Sequence, residues 1–177
     1  MWQMKYQKPS TWDVAYAVDM AIACLVTYWV VAYFLPYLAG RPSTPVGILW
    51  AVISTVFVYK DTRSHSLSAG LSRLIATIIS LALCLSYLLV FPITPFGMAV
   101  LILVGTLVTI SLGRRDEIGL TAITTAVVMI VAASDSSNAL QQPLLRFVDT
   151  VTGIAIGVVC KWAASFTFYR IVGEEVR

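Results

Sequence analysis

Six stretches of the chain are almost wholly apolar: 13–38, 46–59, 67–91, 96–112, 118–133 and 143–169. Polar or helix-breaking segments separate them. These are Gly40-Arg41-Pro42-Ser43-Thr44-Pro45, Lys60-Asp61-Thr62-Arg63, Pro92-Ile93-Thr94-Pro95, Gly113-Arg114-Arg115-Asp116-Glu117, and the run from Ser134 to Gln142. Hydrocarbon offers a backbone amide no partner, so each run predicts a helix, which closes its hydrogen bonds within one segment. The first, third and sixth runs have 25 to 27 residues, enough to cross a bilayer with some tilt. The second, fourth and fifth have 14, 17 and 16. Those are short for a hydrocarbon core about 30 Å thick at about 1.5 Å per residue, so their ends are expected to draw in flanking polar residues. Ser10-Thr11-Trp12-Asp13 fits a capping box at the start of the first helix, with Pro9 just outside it. That first run is too long for a signal peptide, and no small-x-small cleavage site follows it.

Composition agrees with a membrane protein. The chain is 59% hydrophobic and 12% charged, with a mean hydropathy of +0.85. A soluble domain carries about 25% charged residues, so a disordered chain, a coiled coil and an ordinary soluble enzyme are excluded. The 177 residues leave room for one membrane domain, 1–177, and no soluble domain beside it. Cys24, Cys84 and Cys160 all fall inside apolar runs and read as free thiols packed like small hydrophobes. The net charge of +3 makes no case for nucleic acid; the distribution of charge is informative instead. With the N-terminus in the cytoplasm, Lys5, Lys8, Lys60, Arg63, Arg114, Arg115, Arg170 and Arg177 fall inside and only Arg41 outside. This bias predicts a plasma-membrane protein, in bacterial terms an inner-membrane one, with both termini cytoplasmic.

The third and sixth helices share a pattern. Leu71-Ser72-Arg73-Leu74-Ile75-Ala76-Thr77 lines up with Leu144-Leu145-Arg146-Phe147-Val148-Asp149-Thr150 at a constant offset of 73. Ser80 then meets Gly153, and Cys84 meets Gly157. Two units of three helices, about 13–91 and 96–169, are thus expected. Three is odd, so the second unit inserts upside down, as in the inverted repeats of secondary transporters. Small residues recur every fourth position at Ser68, Ser72, Ala76, Ser80 and Cys84, and again at Gly153 and Gly157. Such stripes serve close packing between these two helices or a subunit interface. The second and fifth helices occupy matching places, and both carry mid-helix hydroxyls: Ser54-Thr55 in one, Thr121 and Thr124-Thr125 in the other. Those hydroxyls either bond back to the preceding turn or line a pathway.

An ionisable group at membrane depth costs about 2.5–3.5 kcal/mol even on the insertion scale, so each one is a functional candidate. Arg73 falls near the cytoplasmic end of the third helix and Arg146 near the outer end of the sixth. Arginine stays charged at any working pH and offers a planar fork that fits a carboxylate. Thr77 and Thr150 follow one turn along each helix, on the same face as their arginine. Asp149 follows Arg146 by three residues, which predicts an ion pair; the acid either only neutralises its arginine or is a proton-sensitive group. Asp19, about two turns into the first helix, either faces a wet cleft or pairs with Arg73 at the same level. Lys161 is expected to snorkel toward the cytoplasm. His65, the single histidine, is placed in a polar cytoplasmic loop. One histidine and no cysteine cluster leave no zinc site, no nucleophile–base set and no sign of an enzyme or a cofactor.

The residues also resemble a known family. Ile48-Leu49-Trp50-Ala51-Val52-Ile53-Ser54 is similar to the Trp-Ala motif in the second helix of fusaric-acid-resistance (FUSC) proteins and aromatic acid exporters. Arg73-Leu74-Ile75-Ala76-Thr77 resembles their R-x-x-G-T motif, with Ala76 in place of glycine. Arg146-Phe147-Val148-Asp149-Thr150-Val151-Thr152-Gly153 resembles their R-x-x-D-T-x-x-G motif. The likeness spans about residues 13–165, and plant aluminium-activated malate channels look like distant members of the group. It implies six helices that move organic anions, typically aromatic carboxylates, with both arginines on the pathway. Only eight residues follow Tyr169, so the large cytoplasmic domain of many relatives is not expected.

The sequence therefore reads as an all-α exporter of organic anions, probed first through Arg73, Arg146, Thr77, Thr150, Trp50, Ser54, Thr124 and Thr125. Asp149 and Asp19 are the candidate proton-coupling groups. A passive anion channel on the same bundle and a non-transporting membrane partner are the alternatives. A small six-helix unit is expected to work as a homo-oligomer, with a dimer favoured.

Overall fold

The computed structural model describes residues 10–39, 44–60, 62–134 and 139–172. Lys5, Lys8, Arg41 and Arg177, which enter the charge bias, lie outside them. Among the described residues every regular element is helical. Helix α1 runs through Thr11–Trp29, a π-helical turn at Val30–Phe34, and Leu35–Ala39. The others are α2 (Pro45–Val58), α3 (Arg63–Leu88), α4 (Pro95–Ser111), α5 (Ile118–Ser134) and α6 (Gln141–Val172).

Local chemistry sets the helix ends. Ser10 Oγ accepts from the backbone of Trp12 and Asp13, while the Ser10 N–H donates to Asp13 Oδ2 at 2.7 Å, which completes the capping box. Thr44-Pro45 and Thr94-Pro95 start α2 and α4 in the same way. The threonine hydroxyl accepts from the N–H of Gly47 or Gly97, and proline fills a position whose N–H has no helical partner. Thr62 caps α3 through the His65 N–H. This puts His65 in the exposed first turn of α3 rather than in a loop. Gly113 ends α4 with φ +73°, the left-handed value that favours glycine there. The widened turn in α1 directly precedes Pro36, which lacks an N–H and crowds the carbonyl four residues back.

Among the described residues four helices are long and apolar enough to cross a membrane: Thr11–Tyr37, Arg63–Leu88, Arg115–Ser134 and Gln141–Phe166. The fifth gains this length because a 3-10 turn, Arg115–Glu117, leads straight into α5, its acids lying at the positive end of the helix. The helices α2 and α4 remain short, at 14 and 17 residues.

The interior inverts the usual soluble pattern. Large apolar side chains such as Trp29, Tyr33, Leu103, Ile130 and Trp162 face outward. Small and hydroxyl-bearing residues fill the centre: Ala51, Ser54, Thr55, Ala76, Ser80, Thr125 and Thr150 are all fully buried. An apolar cluster of Cys84, Leu101, Val128 and Met129 joins α3, α4 and α5. The small-residue stripes work inside the chain. Gly153 packs against α2 at the Ala51 carbonyl, and Gly157 packs against Thr55. Thr55 Oγ1 donates to the Gly153 carbonyl at 3.0 Å and meets Thr27 Oγ1 at 2.8 Å, so one hydroxyl ties α1, α2 and α6 together. Ser80 and Cys84 of the α3 stripe are likewise fully buried, Ser80 against Thr121 and Thr125 of α5, while Ser68 is exposed; the two stripes pack on α2 and α5 rather than, as expected, on each other.

A Cβ at Gly153 would collide with the Ala51 carbonyl and lie 2.8 Å from Ser54 Cβ, whereas one at Gly119 would meet nothing within 4 Å. Gly153→Ala should therefore destabilise by about 1–3 kcal/mol, while Gly119→Ala should be neutral or stabilising. Thermal melting of the purified protein in detergent checks this; equal melting of the two variants would contradict the packing.

Candidate anion site

Helix α2 presents Trp50, Ser54 and Phe57 on one face, at the i, i+4 and i+7 positions. The Arg73 side chain of α3 lies across that face. Its Nε donates to Ser54 Oγ at 3.0 Å. Its guanidinium carbon sits 5.2 Å from the Trp50 ring centroid and 4.7 Å from that of Phe57. Arg73 is only 3% exposed, and its Nη2 has no hydrogen-bond partner. Among the described residues no carboxylate pairs with it. A desolvated cation–π contact is worth about 2 kcal/mol, less than the several kcal/mol that removing a cation from water costs. The two rings and one hydroxyl leave this arginine incompletely compensated.

The second arginine differs in having an acid beside it, although its Nε and Nη1 and the Asp149 Oδ2 also lack hydrogen-bond partners. Arg146 of α6 is 2% exposed and lies 3.1 Å from Asp149 Oδ2, three residues along the same helix. Asp149 is itself 7% exposed. Its carboxylate sits at the start of α2, where a Cβ on Gly47 would lie 3.1 and 3.3 Å from its two oxygens. Gly47 therefore leaves the room Asp149 occupies, and the positive end of the α2 dipole favours a carboxylate there. Trp50 joins the two arginine regions. Its indole N–H donates to Thr150 Oγ1 at 3.0 Å while its ring lies under Arg73.

Trp50, Ser54, Arg73, Asp149 and Thr150 are thus spread along α2, with Asp149 and its neighbour Arg146 toward its start and Arg73 over Trp50, Ser54 and Phe57 toward its end. The remaining candidates are spent elsewhere in the bundle. Thr77 donates to the Arg73 carbonyl and Thr124 to the Leu120 carbonyl, each one turn back on its own helix. Thr125 donates to Ser80 Oγ at 3.2 Å, linking α5 to α3. Ser54 donates to the Trp50 carbonyl and accepts from Arg73, so it serves both helix and site. Asp19 is half-buried beside Tyr59 and Cys160 and is not the partner of Arg73. Lys161 does not snorkel. It is 7% exposed, with Nζ 5.2 Å from the ring centroids of both Tyr16 and Tyr59. The Tyr16 hydroxyl donates to the Tyr59 carbonyl at 2.8 Å, which closes α1 over α2 and holds both rings where the ammonium can lie on them.

Three participants escape a reading of the sequence. Phe57 looks like one more lipid-facing aromatic, although its spacing from Trp50 puts both on one face. Gly47 resembles loop punctuation. Glu117 sits in a charged run that reads as solvated, yet it is 3% exposed, and its Oε2 has no hydrogen-bond partner. An apolar hollow lined by Ile93, Pro95, Met98, Met129 and Ala133 contains no charged group and lies apart from the arginines.

Comparison with curated proteins and with solved structures returned no match. A family model described as fusaric acid resistance protein-like matches residues 23–160, which takes in α2 and α3, Trp50, both arginines and Asp149. The match covers most of the chain, and the chain belongs to the fusaric acid resistance protein-like family, membrane-embedded proteins with a transport or resistance role.

Proposed function

We propose that the bundle exports organic anions, aromatic carboxylates foremost, and that Arg73 is the group that receives the carboxylate. The observation that carries this reading is a guanidinium 3% exposed with no acid beside it. A carboxylate would complete its hydrogen bonds and neutralise it, and its planar fork suits two oxygens at once. Trp50 and Phe57 give an aromatic substrate ring an apolar neighbourhood.

Arg146 and Asp149 form the coupling element of the proposal. A proton arriving on Asp149 cancels the ion pair and leaves Arg146 free to take the carboxylate onward. The groups facing Asp149 among the described residues are Arg146 and the start of α2 at Gly47. A proton-coupled carrier needs such a titrating acid and a passive channel does not.

The proposal includes an inverted repeat with both termini in the cytoplasm. Its support is that helix contacts persist when α1, α2 and α3 are exchanged with α4, α5 and α6. The α2–α6 packing becomes α5–α3, α1–α2 becomes α4–α5, and α1–α6 becomes α4–α3. The contact of Gly153 with the Ala51 carbonyl has its counterpart in the Ser80 hydroxyl, which donates to the Thr121 carbonyl at 2.9 Å. The plasma membrane is the proposed location and a homodimer the proposed working unit.

Proteoliposome flux of benzoate tests the site. Arg73→Met keeps the bulk and removes the charge, so it should lower flux by roughly 100-fold while raising the melting temperature, because an uncompensated cation has gone. Arg73→Lys should fall between, for want of the planar donor pair. Parent-level flux from folded Arg73→Met would refute the site. Asp149→Asn should abolish the response to an imposed proton gradient while residual flux persists; an unchanged response would remove Asp149 from coupling. Cysteine placed at 64 should be shielded from an impermeant thiol reagent outside, and cysteine at 138 should react; the reverse pattern would overturn the topology.

A further inference from the structure

Arg73 and Glu117 are two buried, opposite charges, each with one side-chain atom lacking a partner: Nη2 on the arginine and Oε2 on the glutamate. Glu117 belongs to the turn before α5, and that turn packs on α3. Its other oxygen, Oε1, is held by Arg114, whose Nε donates to it at 2.6 Å. Arg114 in turn reaches Ser72 Oγ at 3.4 Å, on the residue immediately before Arg73. Arg114 thus clasps Glu117 at the neighbour of the very residue that lacks an acid.

The repeat register sharpens this. The contacts of Gly153 and Ser80 with the facing helix match Ala51 to Thr121 and Ser54-Thr55 to Thr124-Thr125, an offset of 70. The same offset matches Gly47 to Glu117, while the α3–α6 offset of 73 matches Asp149 to Ala76. In one half the acid Asp149 stands three residues after its arginine and faces a glycine. In the other half that place is Ala76, and the facing place holds an acid. Each half therefore has one acid for one arginine, carried on opposite sides of the same helix contact. Of the acids in the described residues only Asp149 and Glu117 are buried, and Asp149 is taken. Asp13 caps α1, Asp19 lies beside Tyr59, and Asp116 is exposed.

We infer that Glu117 is the internal carboxylate that competes with the transported anion for Arg73, and that Arg114 holds it away while the site is open to substrate. The inference rests on Arg73 as the anion site and on the inverted repeat proposed above. When Arg114 releases Glu117, the glutamate swings onto Arg73, the cation is neutralised within the protein, and the empty carrier can rearrange without an exposed charge. Substrate carboxylate and Glu117 then occupy Arg73 in turn.

The test uses the purified full chain in nanodiscs, with benzoate as the probe and Kd as the readout. Arg114→Ala frees the competitor and should weaken benzoate binding about tenfold. Glu117→Gln should bind at least as tightly as the parent, and Arg114→Ala/Glu117→Gln should bind like Glu117→Gln. If Arg114→Ala weakens binding by the same factor in the Glu117→Gln background, the loss does not pass through Glu117 and the inference is overturned. Arg114→Gln carries the same test where Arg114→Ala does not fold. A second arm needs no ligand. In the Arg114→Ala background, Arg73→Gln and Glu117→Gln should change the melting temperature non-additively, because each removes the same new pair; additive changes overturn the inference. Non-additivity in a protein that fails to bind benzoate would uphold the Arg73–Glu117 exchange and defeat the ligand assignment instead.

Discussion

A guanidinium removed from water must be neutralised by something, and in this bundle the packing around Arg73 stops short of doing so. Two aromatic faces and a serine hydroxyl hold its position; none of them carries negative charge. Much of the architecture follows from keeping that cation dry and in place. Ser54 is oriented by its bond to the Trp50 carbonyl, and Trp50 is fixed at its far edge by Thr150. The α2–α6 contact that sets Trp50 depends on the absence of a side chain at Gly153. The chain therefore tolerates an unfavourable charge at its centre because small residues let the surrounding helices close tightly upon it.

The two arginines pose the same problem, and only one of them has an acid beside it. Arg146 has its acid within the helix, seated against Gly47 at the start of α2. Arg73 has none on its own helix, since Ala76 occupies the corresponding place. Trp50 touches both regions: its ring lies by Arg73 and its indole N–H donates to Thr150, one turn from Arg146, so one side chain spans the two arginine regions.

The helices and their order were legible in the sequence because hydrocarbon enforces long apolar runs, and the serine cap of the first helix stands at its expected place. The arginines and Asp149 stood out because a charge inside an apolar run is rare. The fifth helix was read too short: Arg115, Asp116 and Glu117 look like loop, yet they form a turn continuous with α5. Lys161 was read as snorkelling because it lies two turns before the end of its apolar run; two tyrosine rings from other helices claim it instead. Asp19 was offered Arg73 by its depth alone, and depth does not specify the side of the helix. Phe57 and Gly47 became visible only when α2 was laid against α3 and α6, since their roles depend on what faces them.

The most direct test is to locate a bound carboxylate. A structure of the protein with 4-bromobenzoate, its bromine placed by anomalous scattering, would show the carboxylate relative to both arginines. The account predicts the carboxylate within hydrogen-bond reach of Arg73 Nη2, with Asp149 still on Arg146. A ligand bound elsewhere in the bundle, with the Arg73 surroundings unchanged, would contradict it.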